Sequence, residues 1–173
     1  DWNDRRTCVL FGDGAGAAVL SASDAPGILA SHIESDGSQQ DLLMTSGGIA
    51  TTRQAGVLSM QGREVFRYAV DKMAGGMQAL LDSLALPSDA LRWVIPHQAN
   101  ARIIQAIARK SAICESRFLM TLDQHANTSA ASIPLALAHA DANELLKAGD
   151  ILALPALGAG LTWGCCIITW QSH

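Results

Sequence analysis

The sequence predicts one α/β domain in which helices are layered on a mixed sheet. Apolar runs of strand length alternate with segments of helical periodicity along the 173 residues. Hydrophobic residues make up 49% of the chain and charged residues 16%, a composition that favours a globular protein with a sizeable core. The net charge of −4 argues against a general nucleic-acid binder, which is normally basic. The apolar runs are too short to span a bilayer, and no signal peptide is recognised, so we expect a cytoplasmic protein.

The first predicted elements are strands. Residues 7–11 form a short apolar run that ends at a glycine-rich stretch, and residues 17–21 suggest a hairpin-like return. Another strand is predicted at residues 28–34. The glycine-containing segment 36–58 that follows is irregular, which is typical of a loop that covers a site.

Three helices are predicted after this loop. Residues 63–84 place apolar side chains three and four positions apart, and a second helix is expected from about residue 99 to residue 110. A third helix is expected to have Pro134 in its first turn, to run to Lys147 and to have Gly149 just past its end.

Short strands are predicted between and after these helices, at residues 93–95, 118–122, 151–157 and 161–170. The last two surround a Gly-Ala-Gly turn at residues 158–160. We therefore predict a mixed five-stranded sheet.

Polar or glycine-rich stretches follow three of these strands, at residues 96–100, 125–129 and 158–160. Ligands of α/β sheets gather beyond the carboxyl ends of strands, so these stretches could meet in one pocket. His97 and Asn127 would then be two neutral donors suited to an oxyanion or enolate. The alternative is that His97 makes only a local hydrogen bond and Asn127 caps a helix.

The four cysteines lack a metal-binding or disulfide spacing and are interpreted as reduced thiols: Cys8, Cys114, Cys165 and Cys166. None is expected in a setting that activates a thiol. A Cys-His-Asn hydrolase that uses Cys114 stays open as an alternative. The histidines show no metal-ligand spacing, so no metal site is predicted.

Residues 12–17 formally fit the G-x-G-x-x-G/A fingerprint of dinucleotide-binding proteins, with Asp36 about twenty residues further on. Only about eight residues separate these glycines from the Pro26-Gly27 turn. That is too few for the helix whose N-terminus would hold a pyrophosphate, so dinucleotide binding is disfavoured.

Four motifs occur in the order and spacing of one known family: FGDGAGAAVL (11–20), PHQANARII (96–104), HANTSAASIP (125–134) and GAGLTWG (158–164). Because of these four motifs, the chain resembles the C-terminal half of β-ketoacyl-acyl-carrier-protein synthase III, and the resemblance covers essentially all of its 173 residues. The resemblance implies the C-terminal half of a thiolase-like fold over residues 1–173. The N-terminal half, with the nucleophilic cysteine, would be absent, and an apolar face would be exposed.

The resemblance also implies a reaction and its residues. In this family, a cysteine takes an acetyl group from acetyl-CoA, and malonyl-acyl-carrier protein then loses carbon dioxide and attacks the acyl group. His97 and Asn127 match the catalytic His and Asn, and the backbone N–H of Ala159 matches the oxyanion donor, where the family usually has Gly. Arg102, on one outer face with Arg109, matches the residue that docks the acidic carrier protein.

The positions that match the coenzyme A and pantetheine site are Arg5, Gly62, Phe66, Ala99 and Asn100. Arg63 and Leu157 depart from residues that are often Asn and Phe in the family, which leaves the acyl primer open. Acetyl-CoA and malonyl-acyl-carrier protein are substrates, and no cofactor is expected. The whole enzyme is expected to be a homodimer and this chain alone to be inactive. A non-catalytic acyl-carrier-binding half-subunit and a related enzyme of secondary metabolism are the alternatives.

Overall fold

The computed structural model describes residues 1–171. The strands are β1 (Ile28–Ser35), β2 (Leu43–Thr45), β3 (Leu58–Met60), β4 (Leu91–Val94), β5 (Ile151–Gly158) and β6 (Thr162–Thr169). The α-helices are α1 (Gly62–Ser83), α2 (Ala101–Ser111), α3 (Leu122–His125) and α4 (Ser132–Ala142). Short 3-10 helices occupy Gly37–Leu42, Ser88–Ala90, Glu115–Arg117 and Ser129–Ala131. Within this part of the chain, no helix is both long and apolar enough to cross a membrane.

The main sheet is mixed, as the sequence predicts, but within the described residues it has four strands and not the predicted five, in the order β1-β6-β5-β4. β6 pairs antiparallel with both β1 and β5, and β4 pairs parallel with β5. The strand predicted at residues 118–122 contributes only a parallel bridge from Phe118 to Val94. Beyond this bridge, the backbone N–H of Thr121 donates to the side chain of Gln98 at 3.0 Å and not to a neighbouring strand.

Helices cover both faces of this sheet. Neighbouring residues along β5 point to opposite faces, and they belong to different apolar clusters: Leu152 to one and Ala153 to the other. The cluster on the Ala153 face includes residues of α1 and α2, among them Met77, Leu81, Ile104 and Ile107. The cluster on the Leu152 face includes Ala136 and Ala140 of α4. The three layers confirm the predicted arrangement of helices on a sheet.

Several element boundaries agree closely with the sequence. The helix predicted at 63–84 is α1, the strand at 28–34 is β1, and the last two strands are β5 and β6. The segment 36–58 is largely irregular as expected, but it also begins with a 3-10 helix and closes with the small antiparallel pair β2–β3.

The predicted strand at residues 7–11 is wrong. Residues 5–10 form turns with local backbone bonds, and only Phe11 makes a bridge, parallel to Asn127. Residues 17–21 form no hairpin, and Val19 and Leu20 are 95% and 80% exposed. A strand needs a neighbour to satisfy its backbone groups, and these two runs have almost none within the described chain. The expected exposure of apolar side chains is found here.

The predicted helix end at Lys147 is also wrong, because α4 ends at Ala142. The Asn143 side chain donates to the His139 carbonyl at 2.8 Å, and Glu144 takes a left-handed φ of 57°. The indole N–H of Trp93 then donates to the Leu145 carbonyl at 3.0 Å. This contact links Leu145 to β4 of the sheet.

Candidate functional site

His97 follows the carboxyl end of β4 and is held by the neighbouring strand. Its backbone N–H donates to the carbonyl of Pro155 in β5 at 2.9 Å, so the main chain continues the sheet beyond Val94. The ring is partly buried, and its Nδ1 lies 2.8 Å from Oγ of Ser132. Burial lowers the pKa of His97 below 6.5, and the backbone carbonyl of Ser129 partly opposes this effect. The ring is therefore predominantly uncharged at neutral pH.

Asn127 is buried, with 7% of its surface exposed, and its backbone is held from both sides. Its N–H donates to the Leu10 carbonyl at 3.0 Å, and its own carbonyl accepts from the Gly12 N–H at 3.0 Å. The side-chain Oδ1 accepts from the Ser129 N–H at 2.9 Å. Because the amide oxygen is used in this way, Nδ2 is the group that Asn127 can offer to a ligand.

The turn at residues 129–132 joins the surroundings of the two side chains. Ser129 fixes the Asn127 amide, and Ser132, the first residue of α4, contacts the His97 ring. The structure therefore connects His97 and Asn127 through one short segment, at the carboxyl end of β4. An uncharged imidazole and a primary amide can each donate a hydrogen bond, which is the chemistry that can stabilise negative charge on an oxygen atom.

Two residues of this region have no role in the sequence interpretation. Gln98 is 1% exposed, and its amide nitrogen donates to the carbonyls of Pro96 and Leu119 at 2.8 and 3.2 Å. Ser132 is 2% exposed and accepts from the Gln98 N–H at 3.1 Å. Their positions inside two of the polar motifs were the available signal, but apart from the Gln98–Pro96 bond their partners lie 21 to 35 residues away.

The glycines of residues 12–16 pack against the segment that carries Asn127. A Cβ added at Gly12 would lie 2.7 Å from the His125 carbonyl oxygen, and one at Gly14 would lie 2.8 Å from Cγ2 of Thr128. A Cβ at Gly16 would overlap with Pro134. These three alternate residues thus share one tightly packed side, which supports a role in close packing, and β1 rather than a helix follows them in the chain.

Ala159 lies in the turn between β5 and β6, and its surface is exposed. The backbone φ of Ala159 is not positive, whereas Gly160 has a φ of +136°. Ala therefore fits at position 159 without backbone strain. The far side of the turn is fixed by two backbone bonds between Leu161 and Asp36, at 2.8 and 3.1 Å.

The remaining predicted binding residues lie on three elements. Asn100 caps α2, since its Oδ1 accepts from the Ile103 N–H at 3.0 Å, and Ala99 lies between this cap and the His97–Gln98 pair. Arg102 is exposed in the first turn of α2. The other positions lie further from this loop in the chain: Gly62 and Phe66 at the start of α1, and Arg5 in the N-terminal turns.

The thiols differ in their surroundings. Cys165 is buried in β6, which raises the pKa of its thiol to about 12, and burial also raises the pKa of Cys166. Cys114 is exposed, and a hydrogen bond with Ser116 lowers its pKa. α2 begins near His97 and ends near Cys114. The two ends of this helix are about 16 Å apart at a rise of 1.5 Å per residue. A Cys-His-Asn site built on Cys114 has no support in this geometry.

The mixed sheet between helical layers, with polar loops at one end, defines this chain as a layered α/β protein. Residues 81–170 match the family model described as 3-oxoacyl-[acyl-carrier-protein] synthase III C terminal, and residues 1–37 match the 3-oxoacyl-[acyl-carrier-protein] synthase III model. The chain belongs to the 3-oxoacyl-[acyl-carrier-protein] synthase III family, as the sequence motifs indicate. The assignment of all 173 residues to the C-terminal half stays a prediction.

Individual relatives agree with this membership. A β-ketoacyl-[acyl-carrier-protein] synthase III of Erythrobacter litoralis is 49% identical over 174 residues, which cover 98% of this chain and 54% of the relative. The crystal structure of the Aquifex aeolicus 3-oxoacyl-[acyl-carrier-protein] synthase III has a TM-score of 0.92 at 40% identity, over 98% of this chain and 53% of that one. The priming β-ketosynthase of the R1128 polyketide pathway has a TM-score of 0.89 at 31% identity, with the same coverage. The chain thus spans about half the length of the relatives it matches.

Proposed function

We propose that this chain carries the decarboxylation site of a condensing enzyme that starts fatty acid synthesis. The overall reaction is a decarboxylative Claisen condensation of acetyl-CoA with malonyl-acyl-carrier protein. The observation that carries the proposal is the anchoring of an uncharged His97 ring and an Asn127 amide to the same turn, residues 129–132. Family membership supports the reaction class.

In the proposed mechanism, His97 and Asn127 donate hydrogen bonds to the thioester oxygen of the malonyl group. The bond between the carboxylate carbon and Cα breaks, carbon dioxide leaves, and the electron pair forms an enolate whose charge rests on that oxygen. A neutral ring suits this role because it donates without protonating the enolate. The enolate carbon then attacks the acyl carbonyl on a cysteine of the other half, and the cysteine thiolate leaves. The backbone N–H of Ala159 is proposed to stabilise the acyl oxyanion.

Binding is assigned to the positions that match the family. Coenzyme A and the pantetheine arm would contact Arg5, Gly62, Phe66, Ala99 and Asn100, and Arg102 would dock the acyl carrier protein. Arg102 is exposed at the end of α2 that adjoins the His97 loop, so a docked carrier would deliver its arm toward the donors. The homodimer, the cytoplasmic location and the inactivity of the chain alone complete the proposal.

The first measurement is the intact mass of the natural gene product that contains this chain. A mass about twice that of these 173 residues supports a covalent N-terminal half with the cysteine. A mass equal to theirs contradicts the one-chain enzyme and favours a half-subunit that needs a partner polypeptide.

The second measurement is condensation by the natural gene product, with release of labelled carbon dioxide followed separately. His97→Ala and Asn127→Ala are each expected to lower carbon dioxide release by about 100-fold or more, since single oxyanion donors contribute on that scale. Asn143→Ala, which removes only the exposed cap at the end of α4, is the matched control. Near wild-type decarboxylation by both site variants would overturn the proposal.

A priming enzyme of secondary metabolism is the second candidate function. The likeness to the R1128 priming β-ketosynthase supports this second function, because the match to that protein covers 98% of the chain. Arg63 and Leu157 are the two positions whose departure from the family leaves the acyl primer open. Arg63 lies in the first turn of α1, and Leu157 is buried in β5. A comparison of acetyl-CoA with longer acyl-CoA primers separates the two candidates, since a preference for longer primers would support the second.

A further inference from the structure

We propose that Ser132 is a positioning residue that donates its hydroxyl proton to Nδ1 of His97 and thereby keeps the ring proton on Nε2. The inference rests on the proposed function for its catalytic meaning, but the position of the proton is independent of it. The 2.8 Å separation of Nδ1 and Oγ is a hydrogen-bond distance. The distance alone does not show which of the two atoms donates the proton.

The hydrogen bonds around Ser132 indicate which atom donates. Oγ already accepts from the backbone N–H of Gln98 at 3.1 Å. A serine hydroxyl also carries one proton of its own, and a buried donor needs an acceptor. Among residues 1–171, the hydrogen bonds of the structure give Oγ no acceptor other than Nδ1 of His97. If Nδ1 were the donor, the buried hydroxyl would be left without an acceptor.

The two partners are fixed by different elements, so the ring has little freedom to turn. The His97 backbone is bonded to Pro155 in β5, and Ser132 begins α4. With Nδ1 directed at Ser132, the other ring nitrogen is the one available to a substrate. Nε2–H and the Nδ2–H of Asn127 then have the same polarity, as the stabilisation of one developing negative charge requires.

The backbone carbonyl of Ser129 lies near the ring, where it opposes the effect of burial on the pKa of His97. It favours a ring proton on whichever nitrogen faces it, so the test has to read the tautomer directly. Without Ser132, the His97 ring would have no side-chain acceptor or donor that selects one nitrogen.

The experiment is NMR of the natural gene product labelled with ¹⁵N-histidine at pH 8, where the neutral ring predominates. The ¹⁵N shifts of the two ring nitrogens report the tautomer, and His97→Gln assigns the signals. We expect Nε2–H to exceed Nδ1–H by about tenfold or more in the wild type, because the alternative leaves a buried donor unpaired. Ser132→Ala should lose this preference, and Ser132→Thr, which keeps a hydroxyl, should restore it.

Ser111→Ala is the matched control, because it also removes a helical hydroxyl, bonded to the Ile107 carbonyl at 2.9 Å, without contact to His97. A wild-type ring protonated on Nδ1 overturns the inference, even if Ser132→Ala fails to fold. A Ser132→Ala protein that keeps Nε2–H also overturns it.

Kinetics separates this inference from the proposed function. Ser132→Ala should lower kcat for condensation by about 10- to 100-fold with little change in KM, since the donor is misplaced and binding is not. Ser132→Thr should recover most of the rate. If the tautomer depends on Ser132 while His97→Ala still condenses at the wild-type rate, the proton assignment holds and the proposed function fails.

Discussion

His97 and Asn127 present similar chemistry from two differently built parts of the molecule. His97 extends the central sheet, where its backbone bonds to β5 and the neighbouring Gln98 is fully buried. Asn127 is held by residues 10–12, which belong to no helix or strand and lead into the exposed stretch that contains Val19. One donor thus depends on the core, and the other depends on a segment outside any helix or strand whose glycines pack against residues 125–134.

This difference predicts how each donor can be lost. The His97 side should fail when one of its buried partners is removed, because its hydrogen bonds are buried in the sheet and the loop beyond it. The Asn127 side should respond to changes outside the core, along the glycines that contact residues 125–134.

Gln98→Ala should destabilise the His97 side most. The substitution leaves the carbonyls of Pro96 and Leu119 and the N–H of Thr121 without their buried partner. We expect a loss of about 3 kcal/mol in the free energy of unfolding, measured by urea denaturation of the natural gene product. Gln78→Ala, an exposed residue of α1 bonded to Asp82, is the control and should cost below about 0.5 kcal/mol. Equal effects of the two variants would contradict the central role of Gln98.

Gly16→Ala should disturb the Asn127 side, because its Cβ would overlap with Pro134. The expected cost is about 1–3 kcal/mol, as for other overpacked sites, with faster amide hydrogen exchange at Asn127 and Gly12. Gly27→Ala adds the same methyl group where no atom lies within 4 Å. Unchanged exchange at Asn127 in Gly16→Ala would show that this segment does not hold the donor.

The pH dependence of stability should reveal the burial of the His97 ring. Its pKa is lowered in the folded state, so below about pH 6.5 the unfolded chain takes up a proton that the folded chain resists. The stability contributed by the neutral ring is therefore complete above pH 6.5 and falls as the pH decreases. Urea denaturation of the wild type and of His97→Gln from pH 8 to pH 5.5 measures this, and a constant difference between the two proteins across this range would contradict it.

Arg102→Glu should have the smallest effect, on partner binding alone. Reversal of one exposed charge is expected to weaken binding of the acidic acyl carrier protein by about tenfold at low salt, and less at high salt. Arg92→Glu provides an exposed arginine on β4 as the control. Equal binding by both variants at low salt would remove Arg102 from the proposed docking surface.

The sequence predicts the His97 side better than the Asn127 side, for a physical reason. Strands β5 and β6 and helix α1 are continuous patterns of apolar residues, so their periodicity is visible locally. Residues 7–11 have the composition of a strand but lack a partner strand, and composition does not report partners. The segment after the end of α4 is bonded by Trp93 to Leu145, 52 residues apart, and local periodicity does not report such a contact.

The site was predictable in part. The positions of His97 and Asn127 in polar motifs after predicted strands favour one pocket, and the structure connects them through residues 129–132. The contact between Ser132 and His97 was not predictable, since a buried serine at a helix start has many possible partners. The same holds for the three bonds of the Gln98 amide, which depend on the tertiary fold.

The turn that links the donors also limits how this region can change in evolution. The Asn127 amide and the Ser132 hydroxyl are separated by four residues, and α4 begins at Ser132 itself. One inserted residue would rotate the hydroxyl by about 100° around the helix axis and direct it away from the His97 ring. Substitutions should be tolerated at Ala130, which is exposed, whereas Ser129 has a left-handed φ of 53° and should accept glycine or asparagine but not a β-branched residue. Natural variation in this stretch is therefore expected in residue type and not in length.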